Sequence, residues 1–197
     1  MRDQWNREID YLRISITDRC NLRCRYCMPE EGVTWFEHSQ ILTYEEIIRL
    51  CRIFYELGIR KVKVTGGEPL VRKGVPWLIR ALKESCHMEQ VTLTTNGVLL
   101  KEQIGGLSEA LDGLSEALRH PELNVKINCV PAAYNLDEVT AIAGLAKDDP
   151  LTVRFIELMP IGQGRNKDGI SEEKILGLLE QKYGVLCPYD GNMGNGP

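Results

Sequence analysis

The stretch Ser15-Ile16-Thr17-Asp18-Arg19-Cys20-Asn21-Leu22-Arg23-Cys24-Arg25-Tyr26-Cys27-Met28 holds three thiols within eight residues, with three and then two residues between them. The segment is polar and follows the alternating run Tyr11-Leu12-Arg13-Ile14-Ser15-Ile16, which reads as a strand. Three thiolates this close on an irregular loop can fold around one cubane iron–sulfur cluster and ligate three of its four irons. A fourth Cys is the usual last ligand, and none lies nearby. The remaining iron is then free to chelate a small molecule. Arg19, Arg23 and Arg25 interleave with the thiols, and their charges would partly offset an anionic cluster.

Two other uses of the thiols fit less well. A structural zinc site pairs a close Cys-x-x-Cys with a second pair or with histidines. Here Cys20 is surplus and only His38 stands close after the trio, so ligand count and spacing favour iron and sulfide. A disulfide framework suits neither an odd total of seven Cys nor an N-terminus, Met1 to Glu8, without an apolar segment.

The 197 residues suit a single domain spanning 1–197, long enough to bury a real core. No run is long enough to span a bilayer, so no membrane partner is expected. A net charge of −4 argues against general nucleic-acid affinity. Reduced thiols and an oxygen-sensitive cluster both fit the cytoplasm.

Further along, Thr43-Tyr44-Glu45-Glu46 is a capping box opening a helix with Ile47, Leu50, Cys51, Phe54 and Leu57 on one stripe, and Gly58 as its stop. Cys51 lies in that stripe and reads as core packing. Lys61 to Thr65 is a strand running into Gly66-Gly67-Glu68-Pro69, and a helix follows from about Val75. Strands are also expected over 91–95, 125–130 and 152–158, with helices capped by Asn135 and by Ser171. Between Asn96-Gly97 and Asn124 there is no strand signal. Leu107-Ser108-Glu109-Ala110-Leu111 recurs there as Leu114-Ser115-Glu116-Ala117-Leu118, an amphipathic helix weakened by Gly105, Gly106 and Gly113. Strands alternating with helices imply an α/β fold of parallel βα units, with function at the C-terminal strand ends.

Four strands carry a basic residue between apolar ones: Arg13, Lys63 (with Lys61 on its face), Lys126 and Arg154. If the apolar neighbours pack on helices, these cations share the opposite face. A polyanion such as a triphosphate would satisfy them; the alternative is pairing with Asp18, Glu68 or Glu157. Gly66 and Gly67 let backbone approach a ligand closely, and Glu68 adds a carboxylate. The Gly162-Gln163-Gly164-Arg165 loop is a weaker signal because it lacks the Lys-Ser/Thr of a phosphate loop. His38, His87 and His120 read as surface residues.

The order Cys-x-x-x-Cys-x-aromatic-Cys, with Tyr26 as the aromatic, resembles the radical S-adenosylmethionine (SAM) superfamily. Together with Thr65-Gly66-Gly67-Glu68-Pro69-Leu70, Thr94-Thr95-Asn96-Gly97, Val125-Lys126-Ile127-Asn128-Cys129-Val130 and Arg154-Phe155-Ile156-Glu157-Leu158-Met159-Pro160, it resembles the GTP 3′,8-cyclase family of molybdenum-cofactor biosynthesis. That resemblance implies a partial (βα)6 barrel, one N-terminal [4Fe–4S] cluster on Cys20, Cys24 and Cys27, and SAM on the open iron. SAM contacts would come from Tyr26, Gly66, Gly67, Glu68 and Met159. Arg13, Lys63, Thr94, Lys126 and Arg154 would face GTP. It further implies a flavodoxin- or ferredoxin-type electron donor and cyclic pyranopterin monophosphate synthase downstream, and it admits a homodimer.

Three departures from the family accompany the resemblance. The strand with a Ser-Leu-Asp ending is missing before Val125, which points to an internal deletion of ~30 residues, about one βα unit. The sequence stops before the family's second cysteine trio, and Cys187 alone cannot hold a second cluster. Lys63 stands where the family has Arg. The expectation is an impaired cyclase, with SAM binding or slow uncoupled cleavage left. A peptide-modifying radical SAM enzyme and a non-catalytic metal-binding remnant are the alternatives.

Overall fold

The computed structural model describes residues 2–29, 31–100, 110–159, 164 and 169–190, with the side chains of 110–113 outside that description. The Leu107 to Glu109 half of the repeat and most of the 162–165 loop therefore lie outside the described residues. The rest gathers into two compact units, Met1–Arg23 with Gly32–Glu116, and Cys24–Glu31 with Ala117–Pro197.

The first unit is built on three parallel strands, β1 (Tyr11–Ser15), β2 (Lys61–Thr65) and β3 (Gln90–Leu93), in the order β1-β2-β3. Their period-2 alternation puts Leu12, Ile14, Val62, Val64, Val91 and Leu93 on one face. That face packs on α1 (Tyr44–Glu56) and α2 (Val75–Glu84) through Ile47, Cys51, Val75, Leu78 and Leu82. Val64, Leu78 and Leu82 are fully enclosed, each contributing roughly 1.5–3 kcal/mol of transfer free energy. The capping box forms as read: the Glu46 amide donates to Thr43 Oγ1, and the Thr43 amide to Glu46 Oε2. Gly58 ends the turn at φ 99°, in the left-handed region.

Past the sheet, β1 and β2 keep pairing. The Ile16 amide donates to the Thr65 carbonyl (2.8 Å), Gly67 to Thr17 (2.7 Å) and Glu68 to Arg19 (2.8 Å). Arg72 braces the same place. Its guanidinium donates to the carbonyls of Ile16 and Leu42 and lies 4.2 Å from the Tyr44 ring centre.

The second unit holds the parallel pair β4 (Val125–Cys129) and β5 (Leu151–Phe155). Helix α3 covers Ala110–Leu118, so the second Leu-Ser-Glu-Ala-Leu copy is helical despite Gly113. Helix α4 is Val139–Asp148 and α5 is Glu172–Tyr183, the latter capped by Ser171 as its sequence indicates. Asn135 behaves differently from its reading. It makes no cap bond; its Oδ1 accepts from the Ala132 amide and its Nδ2 donates to the Val130 carbonyl, and a 3-10 turn over Leu136–Glu138 precedes the helix. The loop behind β4 claims the side chain before the helix can. No described strand lies between β3 and β4. No helix among the described residues is long and apolar enough to cross a membrane.

Candidate functional site

Cys20 follows directly on the extension of β1, so its position is fixed by the pairing of Ile16 to Arg19 with Thr65 to Glu68. That pairing depends on two glycines. A Cβ on Gly66 would stand 2.5 Å from the Thr17 carbonyl oxygen, and one on Gly67 would meet the Arg19 carbonyl. The glycines thus serve the docking of one backbone on another, a use the sequence leaves undistinguished from approach to a ligand. Asp18 Oδ2 accepts from the Phe36 amide at 2.7 Å, tying residues 35–36 to the same segment.

All seven cysteines are free thiols; Cys20 and Cys24 are half-buried and Cys27 is exposed. In the second unit the amides of Cys27 and Met28 both donate to the Cys24 carbonyl, which winds Cys24 to Met28 into a turn. Tyr26 is 38% exposed. Burial, with Cys24 and Cys27 adding, pushes its phenol above the ordinary value.

The arginines of the stretch are less available than their spacing implies. Arg23 donates to the Cys20 and Leu22 carbonyls and lies over Trp35, while Arg25 lies over Tyr134. Both are engaged by aromatic faces. Arg19 Nε and Asp18 Oδ1 are buried with no hydrogen-bond partner among the described residues. Buried orphan polar atoms are costly, and a polar ligand there would relieve them. The three accessible thiols are the donor chemistry an iron–sulfur cluster takes. Among the described residues, no three His, Cys, Asp or Glu side chains converge as a metal-holding group.

In the first unit the strand register sets Arg13 beside Lys63, and Lys63 beside Thr92, on the face away from the helices. In the second, Lys126 aligns with Thr152, and Asn128 with Arg154. Each sheet therefore carries its basic residues on one face, as the alternation requires. Arg13 and Thr94 are exposed, and Lys63 is half-buried near the Tyr11 ring. Lys61 is taken by Asp10 at 2.6 Å, so it is a paired residue.

Glu68 is placed otherwise than an open ligand would be. It is 1% exposed. Its Oε1 accepts from the Leu70 amide and the Thr95 hydroxyl, and its Oε2 from the Asn96 amide. Met159 is 60% exposed. Gly164, the described residue of its loop, is buried with no room for a Cβ beside the Met159 carbonyl. Of the histidines, His38 and His87 are exposed and His120 is half-buried against Glu122. The residues that sequence reasoning passed over are Asn21, Thr95 and Asn96. Asn96 stands in an Asn-Gly turn, and its short polar side chain was the signal available.

Comparison with known proteins bears on this arrangement. Residues 14–170 match the model of the radical SAM superfamily. The GTP 3′,8-cyclase of Alkaliphilus metalliredigens is 44% identical over 213 residues, covering 91% of this chain and 67% of the relative. The GTP 3′,8-cyclase of Petrotoga mobilis is 45% identical over 219 residues, covering 94% and 68%. The GTP 3′,8-cyclase of Clostridium perfringens strain 13 is 38% identical over 227 residues, covering all of this chain and 70% of the relative. A match of 227 positions to a chain of 197 residues leaves at least 30 positions inside it with no residue here. With a superfamily match running from β1 to the start of the last helix, and with these relatives aligned across nearly the whole sequence, the chain belongs to the GTP 3′,8-cyclase family of the radical SAM superfamily.

Proposed function

We propose that the chain is a GTP 3′,8-cyclase, a radical SAM lyase converting GTP to (8S)-3′,8-cyclo-7,8-dihydroguanosine 5′-triphosphate at the start of molybdenum-cofactor biosynthesis. The observation that carries this reading is the segment of residues 17–19 leading into Cys20, docked on Gly66 and Gly67 at the C-terminal ends of β1 and β2, two strands that bear Arg13 and Lys63 side by side. Cys20, Cys24 and Cys27 would hold the cluster. When bound, the cluster supplies the electron that cleaves SAM. Tyr26, Gly66, Gly67 and Met159 would line the SAM site, the exposed Met159 thioether being free to cover an apolar part of a ligand.

On the substrate side, Arg13 offers a two-pronged donor for phosphate and Lys63 a point charge. Thr94 adds a hydroxyl near the end of β3. Lys126 and Arg154, which share one face of the second sheet, are GTP contacts on the strength of the family resemblance. The chain's part in catalysis is to hold the ribose and guanine carbons in register and to keep competing hydrogen donors out. The wider frame is a partial (βα)6 barrel lacking one βα unit, working in the cytoplasm with a flavodoxin- or ferredoxin-type donor.

Anaerobic reconstitution with iron and sulfide, followed by SAM, dithionite and GTP, tests the reading. The expected result is 5′-deoxyadenosine together with the cyclised nucleotide. Tetrahedral zinc on the thiols, or no SAM cleavage at all, would overturn it. A second reading, SAM cleavage uncoupled from cyclisation, is favoured by the 30 or more relative positions with no residue here. It predicts 5′-deoxyadenosine without a GTP-derived product.

A further inference from the structure

Glu68 stands in a motif that invites a ligand role, yet its oxygens are turned inward. Three protein donors reach them: the Leu70 amide at 2.9 Å, the Thr95 hydroxyl at 2.7 Å and the Asn96 amide at 2.6 Å. Thr95 Oγ1 in turn accepts from the Gly97 amide, and Asn96 Oδ1 from the Val98 amide, so the Asn-Gly turn is closed on itself. From the turn Asn96 Nδ2 reaches away from Glu68 and donates to Asn21 Oδ1 at 2.8 Å across 75 residues of chain. Asn21 is the residue after Cys20. Glu68 itself is anchored at its backbone to the Arg19 carbonyl, the residue before Cys20.

We propose that Glu68 and Asn96 are positioning residues that grip the Cys20 turn from both sides, and that Glu68 acts through Asn96 and not by touching SAM. The carboxylate fixes the Asn96 amide, the Asn96 carboxamide fixes Asn21, and the Glu68 backbone fixes Arg19. Residues on both sides of Cys20 are then tied to the ends of β2 and β3. Partners that orient a ligating residue affect metal retention more directly than they affect cosubstrate affinity.

Two arms test this. Only the second rests on the cluster reading given above. In the metal-free chain, nitrogen-15 relaxation of the Asn21 amide is expected to give an order parameter of about 0.85 in the parent and below about 0.6 in Asn96→Ala. Asn96→Asp restores rigidity, because the Asn21 carboxamide can turn over and donate to the new carboxylate. A mobile Asn21 in the parent, or a rigid one in Asn96→Ala, overturns the proposal. In the reconstituted holoprotein, Glu68→Gln and Asn96→Ala are expected to release iron to a ferrous chelator about tenfold faster. The SAM dissociation constant, normalised to iron content, stays at the parent value. Weakened SAM binding by Glu68→Gln with unchanged iron release overturns the proposal and makes Glu68 a ligand contact. If Glu68→Gln does not fold, Asn96→Ala carries the test alone, since it leaves the carboxylate and its Thr95 bond in place. If the parent takes up no cluster, the cluster reading falls while the metal-free arm still decides this inference.

Discussion

Cys51 and Cys27 are the same side chain put to opposite ends. Cys51 is fully enclosed under the sheet, and burial, with Cys86 adding, pushes its thiol up to about 12; Cys27 is open to solvent. At pH 8 a thiol of that pKa is ionised in only about one molecule in ten thousand. Iodoacetamide on the native metal-free chain is therefore expected to label Cys27 and Cys187 and to spare Cys51, as read by peptide mass mapping. The same shift has a sign for stability. The folded state holds the Cys51 proton up to about 12, whereas the unfolded chain gives it up from about 9. This contribution is intact below pH 9 and is lost as pH rises towards 12, at about 1.4 kcal/mol per unit. Cys51→Ala should show a shallower alkaline fall in urea midpoint than the parent. Lys63 supplies another prediction. Replacing its single ammonium by a guanidinium fork, Lys63→Arg, is expected to lower the KM for GTP by up to about tenfold in a coupled assay. Residue identity was legible where the pattern is local, as in Cys51, whose place in the apolar stripe gave its core position. It was not legible for Glu68, because whether a carboxylate faces a ligand or a Thr hydroxyl depends on a strand end 27 residues away.

At the scale of elements, two glycines make opposite predictions. Gly67 is pressed on the Arg19 carbonyl, so Gly67→Ala forces backbone apart and should destabilise by roughly 1–3 kcal/mol in urea titration. Gly177 sits inside α5 with nothing among the described residues within 4 Å of a Cβ. Gly177→Ala should instead stabilise by up to about 1 kcal/mol, since only helix propensity and unfolded-state entropy change. Thr43→Ala should cost about 1 kcal/mol through its lost cap. Strands and capped helices were legible because period-2 alternation and capping boxes are written within a few residues. Asn135 was misread because its bonds to Ala132 and Val130 belong to a loop whose path is set elsewhere. The fate of Lys61 likewise turned on Asp10, a neighbour across the sheet end and not along the strand.

At the scale of the whole molecule, the parallel order of the strands followed from their alternation with helices, while the absent strand signal between β3 and β4 is what we infer to be a gap. Among the described residues, β3 pairs with β2 alone and β4 with β5 alone. Open strand edges promote self-pairing. Grafting the corresponding segment of the Clostridium perfringens relative between β3 and β4 is expected to raise the ratio of cyclised nucleotide to 5′-deoxyadenosine and to lower light scattering at high concentration. A graft that leaves both unchanged would mean that the gap has no functional weight. The Arg72 brace has a consequence of its own. One planar group stitches the terminus of β1 to the segment leading into α1, so the end of that strand and the first helix share a hinge pin. Any force that swings α1 is delivered through that pin to the end of β1 that leads into Cys20, and an ammonium, unable to span both carbonyls at once, would uncouple them.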